Sequence, residues 1–324
     1  MRPLSFLFIL ILSALSLPAA EPTPFFDGKT LAGFTICNGY APYRVINGEI
    51  VGTTAEGSPN SFLCTEASYG DFVLEYETKT DPRLNSGVQV RAHRYKRETQ
   101  VIIENKGKKK NTQPPGRVYG YQVETATAAS GSSGSIYDEA RRGWVDHRQG
   151  KEPCHSAFKD NQWNRYRIEA QADRIRTFVN GAPCADLVDP LDLDGFIGLQ
   201  VHSFKGDSPA EVRWRNLTIT DNGRHSWQPL ARNARAANTT IRLRYKLPTG
   251  KAALKWGTAS IDLEPTPADS TFDLTVSAHD GRLVIHNNSD KLRDEMTDLA
   301  AYQGRVTTQG PVQIIALEIL KKVQ

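Results

Sequence analysis

An all-β sandwich or jelly roll, followed by a smaller β-rich C-terminal module, is the fold class this sequence predicts. Segment after segment alternates apolar and polar residues between turn formers, which is the period of a half-buried strand. Helical patterning is scarce. A polar, turn-rich break, DNGRHSWQPLARNARAAN, falls around residues 221–237 and separates two groups of strands. Many strands with few helices point to packed sheets.

The elements follow in chain order. Arg2 precedes the apolar run LSFLFILILSALSL and then PAA, so residues 1–20 read as a secretory signal peptide. Cleavage is expected near Ala19 or Ala20, with an uncleaved anchor as the alternative. The run is short for a membrane span, and no other segment is apolar enough to be one. The expectation is a secreted or periplasmic protein with no membrane span after cleavage. Residues 21–222 then form the first domain, with strands in FVLEYETK, GVQVRA, YGYQVET, RYRIEAQ, IRTFVNG, FIGLQVHSF and VRWRNLTIT. Asn180-Gly181 supplies a reverse turn between apolar-rich segments. Residues 223–237 read as a linker, and 238–324 as the second module, with strands in TIRLRYKL, ALKWG, STFDLTVSA, RLVIHN and VQIIALEIL. KLRDEMTDLAAYQ, residues 291–303, is the best helix candidate.

Composition bounds the partners. The 324 residues carry a formal charge of +4, too mild to imply a nucleic-acid partner. The dense basic run Lys106-Gly-Lys-Lys-Lys110 reads as a solvated loop. Cys37, Cys64, Cys154 and Cys184 form an even set, and in an exported chain such a set pairs. Connectivity is open from sequence; proximity favours Cys37–Cys64 and Cys154–Cys184. Their spacing lacks the short pairs of a zinc site.

In a strand, residues two apart share a face. Glu75 and Glu77 then oppose Phe72, Leu74 and Tyr76; Gln89 and Arg91 oppose Val88 and Val90. Gln122 and Glu124 oppose Tyr121 and Val123; Gln200 and His202 oppose Leu199 and Val201. Any antiparallel sheet with one wet face gives some such pattern. A set of Glu, Gln, Arg and His is more pointed, because these groups bind sugar hydroxyls and move protons. A curved sheet would gather them into a groove.

Several stretches occur in a set order: FFDGKTLAGF (25–34), YGDFVLEYE (69–77), NSGVQVRA (85–92), GYQVE (120–124), SGSIYDEARRGW (133–144), QWNRYRIEAQADRIRTFVNG (162–181), GLQVHS (198–203) and VRWRNLTI (212–219). This ordered set resembles the 3-keto-disaccharide hydrolase family, also described as 3-keto-glucoside 1,2-lyase/2-hydroxy-3-keto-glucal hydratase. The resemblance spans about residues 24–221 and leaves the C-terminal module uncovered. It implies a concanavalin A-like jelly roll and an oligosaccharide or glycoside substrate oxidised to a ketone at sugar carbon 3. It maps family positions onto Arg91, Gln122, Glu124, Tyr137, Asp138, Arg142 and His202. The chain departs from the pattern in having Glu124 where Asp is frequent, and Ala126 where a second Asp is frequent. The loop Ala129-Ser-Gly-Ser-Ser-Gly-Ser135 replaces an aromatic residue.

A ketone at carbon 3 acidifies the proton on carbon 2. Loss of that proton lets the enolate expel the substituent on carbon 1, and water then adds. Such a site needs a base, a partner for the ketone oxygen and an acid for the leaving oxygen. The expected catalytic residues are Glu124, His202 and Asp138, with Glu124 or His202 as the base. Arg91 or Arg142 is expected at the ketone oxygen, and Gln89, Gln122, Tyr137, Trp144, Gln200 and Glu77 at the sugar. No cofactor is firmly implied; a divalent metal on Glu75, Glu77, Glu124 and His202 is the alternative to the arginine. The structural readings are a loop clasp of Arg141 and Arg142 on Asp138 and Glu139, a structural His202, and core positions for Trp163 and Trp214. Gly131 and Gly134 suggest a movable lid. The competing functions are a non-catalytic carbohydrate-binding jelly roll, and an ordinary glycosidase. The latter commonly carries paired carboxylates as E-x-D-x-x-E along one strand of this fold, and no such pattern occurs here.

Overall fold

The computed structural model describes residues 21–103, 109–206, 209–288 and 290–323. The expected signal peptide and Lys106 to Lys108 of the basic run lie outside them. Two antiparallel sheets pack face to face as a jelly-roll sandwich. The front sheet runs, edge to edge, Gly143–Asp146, Ile136–Glu139, Val118–Thr125, Ser86–Arg94, Phe196–Val201, Ser61–Thr65 and Phe34–Asn38. The back sheet runs Ala182–Val188, Arg174–Val179, Asn164–Gln171, Phe72–Thr80, Glu211–Asp221, Glu49–Thr53 and Tyr43–Ile46, with Thr23–Pro24 on the long strand.

Alternation fills the space between the sheets. Leu74, Tyr76, Ile168 and Trp214 from the back meet Val88, Val90, Tyr121, Val123 and Leu199 from the front. Tyr76 and Tyr166 stack at 5.2 Å between ring centroids, an arrangement worth ~0.5–1.5 kcal/mol beyond buried area. Trp214 is core as expected, whereas Trp163 is half-buried beneath the Arg215 guanidinium, 4.0 Å from its ring centroid.

One irregularity redirects a side chain. Along Ser86–Arg94 the register with Val118–Thr125 jumps from Tyr121 opposite Val90 to Tyr119 opposite His93. Arg91 sits in this bulge with φ of 49°. An extra residue breaks the two-residue period, so Arg91 turns to the buried side.

A second core gathers residues such as Ile241, Leu243, Tyr245, Trp256, Val276 and Ile285. It lies against a six-stranded sheet of Arg224–Pro229, Gln313–Val323, Thr239–Lys246, Phe272–His279, Arg282–Asn287 and Asp290–Met296. Two expectations need correction. The stretch read as a linker contains the strand Arg224–Pro229, paired with Gln313–Val323. The helix expected over 291–303 is instead most of the edge strand Asp290–Met296 and a single 3-10 turn, Ala300–Tyr302. Every residue of that edge strand is exposed, so its charges followed solvent rather than a helical face.

Candidate functional site

The outer face of the front sheet carries a groove of about 980 Å³. Three strands build one wall. Gln122 and Glu124 point outward from Val118–Thr125, and Gln122 stands opposite Tyr137 of Ile136–Glu139. Tyr137 in turn stands opposite Trp144 of Gly143–Asp146. Tyr137 and Glu139, two residues apart, share the groove face. Asn60, Asn85, Arg94, Arg117 and His202 approach from the other elements.

Glu124 is the most perturbed carboxyl of this groove. It is 6 % exposed and accepts hydrogen bonds from the Asn85 amide and from Gln122 Nε2, the latter at 3.0 Å. Burial pushes its pKa up to about 7, the two amide donors restrain the rise, and the Glu139 charge adds to it. Gln122 is itself held by Gln89 Nε2 at 3.0 Å. Gly87 permits this packing: a Cβ there would lie 2.7 Å from Gln122 Cγ and 2.9 Å from the Val123 carbonyl oxygen. Beneath this layer, both polar atoms of the Gln200 amide and Oε1 of Gln89 are buried without a hydrogen-bond partner among the described residues.

The walls are aromatic and charged. Trp144 meets Tyr137 edge-on at 5.0 Å and stacks on His147 at 4.2 Å. Glu139 takes an ion pair from Arg117 and a hydrogen bond from Asn60 Nδ2 at 3.3 Å. Asn60 Oδ1 also accepts from the Ser203 amide at 3.0 Å, beside His202. His202 is half-buried, and its Nδ1 lies 2.7 Å from the Ser203 carbonyl oxygen, which leaves Nε2 for other partners. Arg94 is exposed on the groove, and its guanidinium has no hydrogen bond or ion pair among the described residues.

Other expected site residues lie elsewhere. Arg91 is fully buried; its Nε donates to Gly70 O at 2.9 Å and its Nη1 to Ala172 O at 2.7 Å, with Asp71 at 3.5 Å. It is scaffold, because the bulge turned it over. Asp138 alternates away from Tyr137 and Glu139 and is buried in a clasp with Arg141 and Arg142. Arg142 continues to Asp189 at 2.7 Å, and Arg141 to Asp192. Asp138 and Arg142 therefore do not reach the groove. Glu77 is on the outer face of the back sheet, paired with Arg215 at 2.6 Å, and Glu75 pairs there with Arg165 at 2.7 Å. The four-residue metal set is not assembled, and among the described residues no three His, Cys, Asp or Glu side chains converge to hold an ion.

The Ser/Gly loop is not a slack lid. Ser132, Ser133 and Ser135 are buried, and Ser133 Oγ donates to Ala126 O at 2.8 Å and accepts from Ala126 N at 2.9 Å. A Cβ on Gly131 would sit 1.9 Å from His155 Nδ1, so the loop is packed under the segment that the Cys154–Cys184 disulfide holds. Cys37 and Cys64, expected as a pair, are free and buried on adjacent strands.

Asn60, Asn85, Arg94, Arg117 and Glu139 were not expected. Glu139 was open to discovery, since period two applied to IYDE puts Tyr137 and Glu139 together and Asp138 opposite. A second cleft, about 810 Å³, lies between the two cores. Its buried Asp173 is taken up by Thr240, Ser277 and His279, and its Asp71 by His225. The groove is thus the better candidate site.

Residues 21–220, more than half the chain, match the family model described as a 3-keto-alpha-glucoside-1,2-lyase-like domain. No curated protein matches. Among solved structures, a Parabacteroides distasonis ATCC 8503 protein designated a provisional glycosyl hydrolase is 20% identical, with 62% of this chain and 99% of that one covered and a TM-score of 0.39. The carbohydrate-binding module CBM66 of Bacillus subtilis is 15% identical over 58% of this chain and 96% of that one, at 0.34. The Bacillus licheniformis β-glucanase is 12% identical over 64% of this chain and all of that one, at 0.37. Likenesses at this level say nothing about substrate.

Proposed function

The chain belongs to the 3-keto-alpha-glucoside-1,2-lyase-like family, and from that premise we propose that it cleaves 3-keto-glycosides in the groove around Glu124. The observation that carries this reading is Glu124 itself. It is a sealed carboxyl with a pKa near 7, set in amides beside an aromatic wall. A base poised near the working pH is what removal of the carbon 2 proton requires.

In this scheme Glu124 takes the proton from carbon 2, and the electron pair forms an enolate on the carbon 3 oxygen. Arg94 or Arg117 stabilises that oxyanion electrostatically. The enolate then expels the carbon 1 oxygen, which takes a proton from His202, leaving a 2-hydroxy-3-keto-glucal. Water adds its oxygen to carbon 1 and returns a proton to carbon 2. Trp144 and Tyr137 supply apolar surface for the sugar ring, and Gln122, held from beneath by Gln89, supplies an amide for its hydroxyls. We also propose export, from the signal-like residues 1–20.

The test is release of the leaving group from a 3-keto-glucoside, with the unoxidised glucoside as control, before and after a chelator. Turnover of the ketone alone is expected, with E124Q and H202A each reducing it. Near-normal turnover in both variants would overturn the assignment. Sugar binding with no turnover would favour the non-catalytic reading, for which the withdrawal of Asp138 into its clasp speaks.

A further inference from the structure

We propose that the C-terminal module positions the groove wall, by gripping Asp173 and through it the arginine clasp behind Tyr137 and Glu139. The proposal rests on the groove being the site. It assigns a role to a module that the family match does not cover.

The contacts form a continuous series. Asp173 lies in the turn between Asn164–Gln171 and Arg174–Val179, and its side chain is fully buried. Three groups of the second module donate to it: Thr240 Oγ1 at 2.6 Å, Ser277 Oγ at 2.5 Å and His279 Nε2 at 2.9 Å. The Asp173 carbonyl oxygen accepts from the Asp189 amide at 2.7 Å. Asp189 and nearby Asp192 then bind Arg142 and Arg141. Both arginines close on Asp138, which separates Tyr137 from Glu139 in the wall strand.

Two features favour positioning over simple adhesion between modules. The arginines also lie over the aromatic rings of a second wall strand, Val118–Thr125, Arg141 at 5.2 Å from the Tyr119 centroid and Arg142 at 5.9 Å from that of Tyr121. The clasp thus spans two strands of the front sheet. Second, His286 of the module is buried close enough to Asp189 and Arg142 to feel both charges. A buried ion network has few alternative arrangements, since an ion that loses its partner is left in low dielectric. Contiguity alone is not coupling, so the test must read the wall directly.

The measurement is amide hydrogen exchange of the full-length protein, comparing wild type, T240V/S277A and the hydroxyl-preserving T240S. Exchange across residues 136–144 should quicken on the order of tenfold in the double variant and stay near wild type in T240S. Unchanged protection at 136–144, with loosening confined to the second module, would overturn the proposal. If the double variant fails to fold, S277A alone is judged by the same criterion. Leaving-group release gives a second reading. Displacing Glu139 should move the pH break of turnover downward in the double variant and leave it in place in T240S; an unmoved break with a quickened wall would also count against positioning. A wild type that turns over no keto-glycoside would instead overturn the proposed function, with exchange still deciding this inference.

Discussion

Glu124 has neighbours that pull its proton affinity in opposite directions. The Asn85 and Gln122 amides stabilise the carboxylate, while burial and the Glu139 charge disfavour it. For a base, the ionised form is active, so the ascending limb of kcat/KM against pH should break at about 7. N85A removes a donor to the ionised form and should move the break to higher pH. E139Q removes a like charge and should move it lower. E124Q should cost ~10²–10⁴-fold in turnover. A pH–rate series on the three variants checks the signs; breaks that move the same way in N85A and E139Q would remove Glu124 as the titrating base.

At the scale of elements, one bulge separates two arginines only three residues apart. Arg91 faces inward to the Gly70 and Ala172 carbonyls, while Arg94 remains exposed on the groove. R91M should destabilise by ~3–5 kcal/mol, because Asp71 loses a buried cation. R94M should stay within ~0.5 kcal/mol of wild type in stability and lower kcat/KM. Urea unfolding and steady-state kinetics on both variants check this; the reverse pattern would restore Arg91 to the site. The pair also marks the limit of reading strands from sequence. Alternation correctly placed Gln122 and Glu124 on one face, because the register runs unbroken from Tyr121 to Thr125. It misplaced Arg91, because a bulge leaves no imprint in residue type. It also joined Glu77 to the groove, because period two assigns a face within a strand and not the sheet to which the strand belongs. The Ser/Gly loop read as slack by composition, yet its Ser133 hydroxyl is spent on the Ala126 backbone and its Ser135 hydroxyl on the Arg148 amide.

Across the whole molecule, the order of strands was legible in alternation, but the junction between the cores was not, since it rests on single polar residues far apart in sequence. Asp173 meets His279 across this junction at 2.9 Å, and His279 Nδ1 lies 3.3 Å from Asp280, which also pairs with Arg174. Burial disfavours the charged imidazole, but the hydrogen bond and charge of Asp173, with those of Asp280, outweigh it and hold the His279 pKa above 6.5. Burial likewise works against the Asp173 carboxylate, and its donors, His279 first, bring it down to about 2. The histidine's contribution is therefore fully present below about pH 6.5 and is lost as pH rises through its raised pKa. The aspartate's is present above 3.8 and is lost as pH falls towards about 2. Glu124 and His286 also titrate, so the informative quantity is the stability difference between wild type and H279Q, in which their effects cancel to first order. That gap should be about 1–3 kcal/mol near pH 5.5 and shrink as pH rises through the raised pKa of the ring. Urea unfolding across an alkaline pH series checks it. A gap that grows with pH would mean that His279 is held neutral and that the junction is tied by its hydroxyls alone.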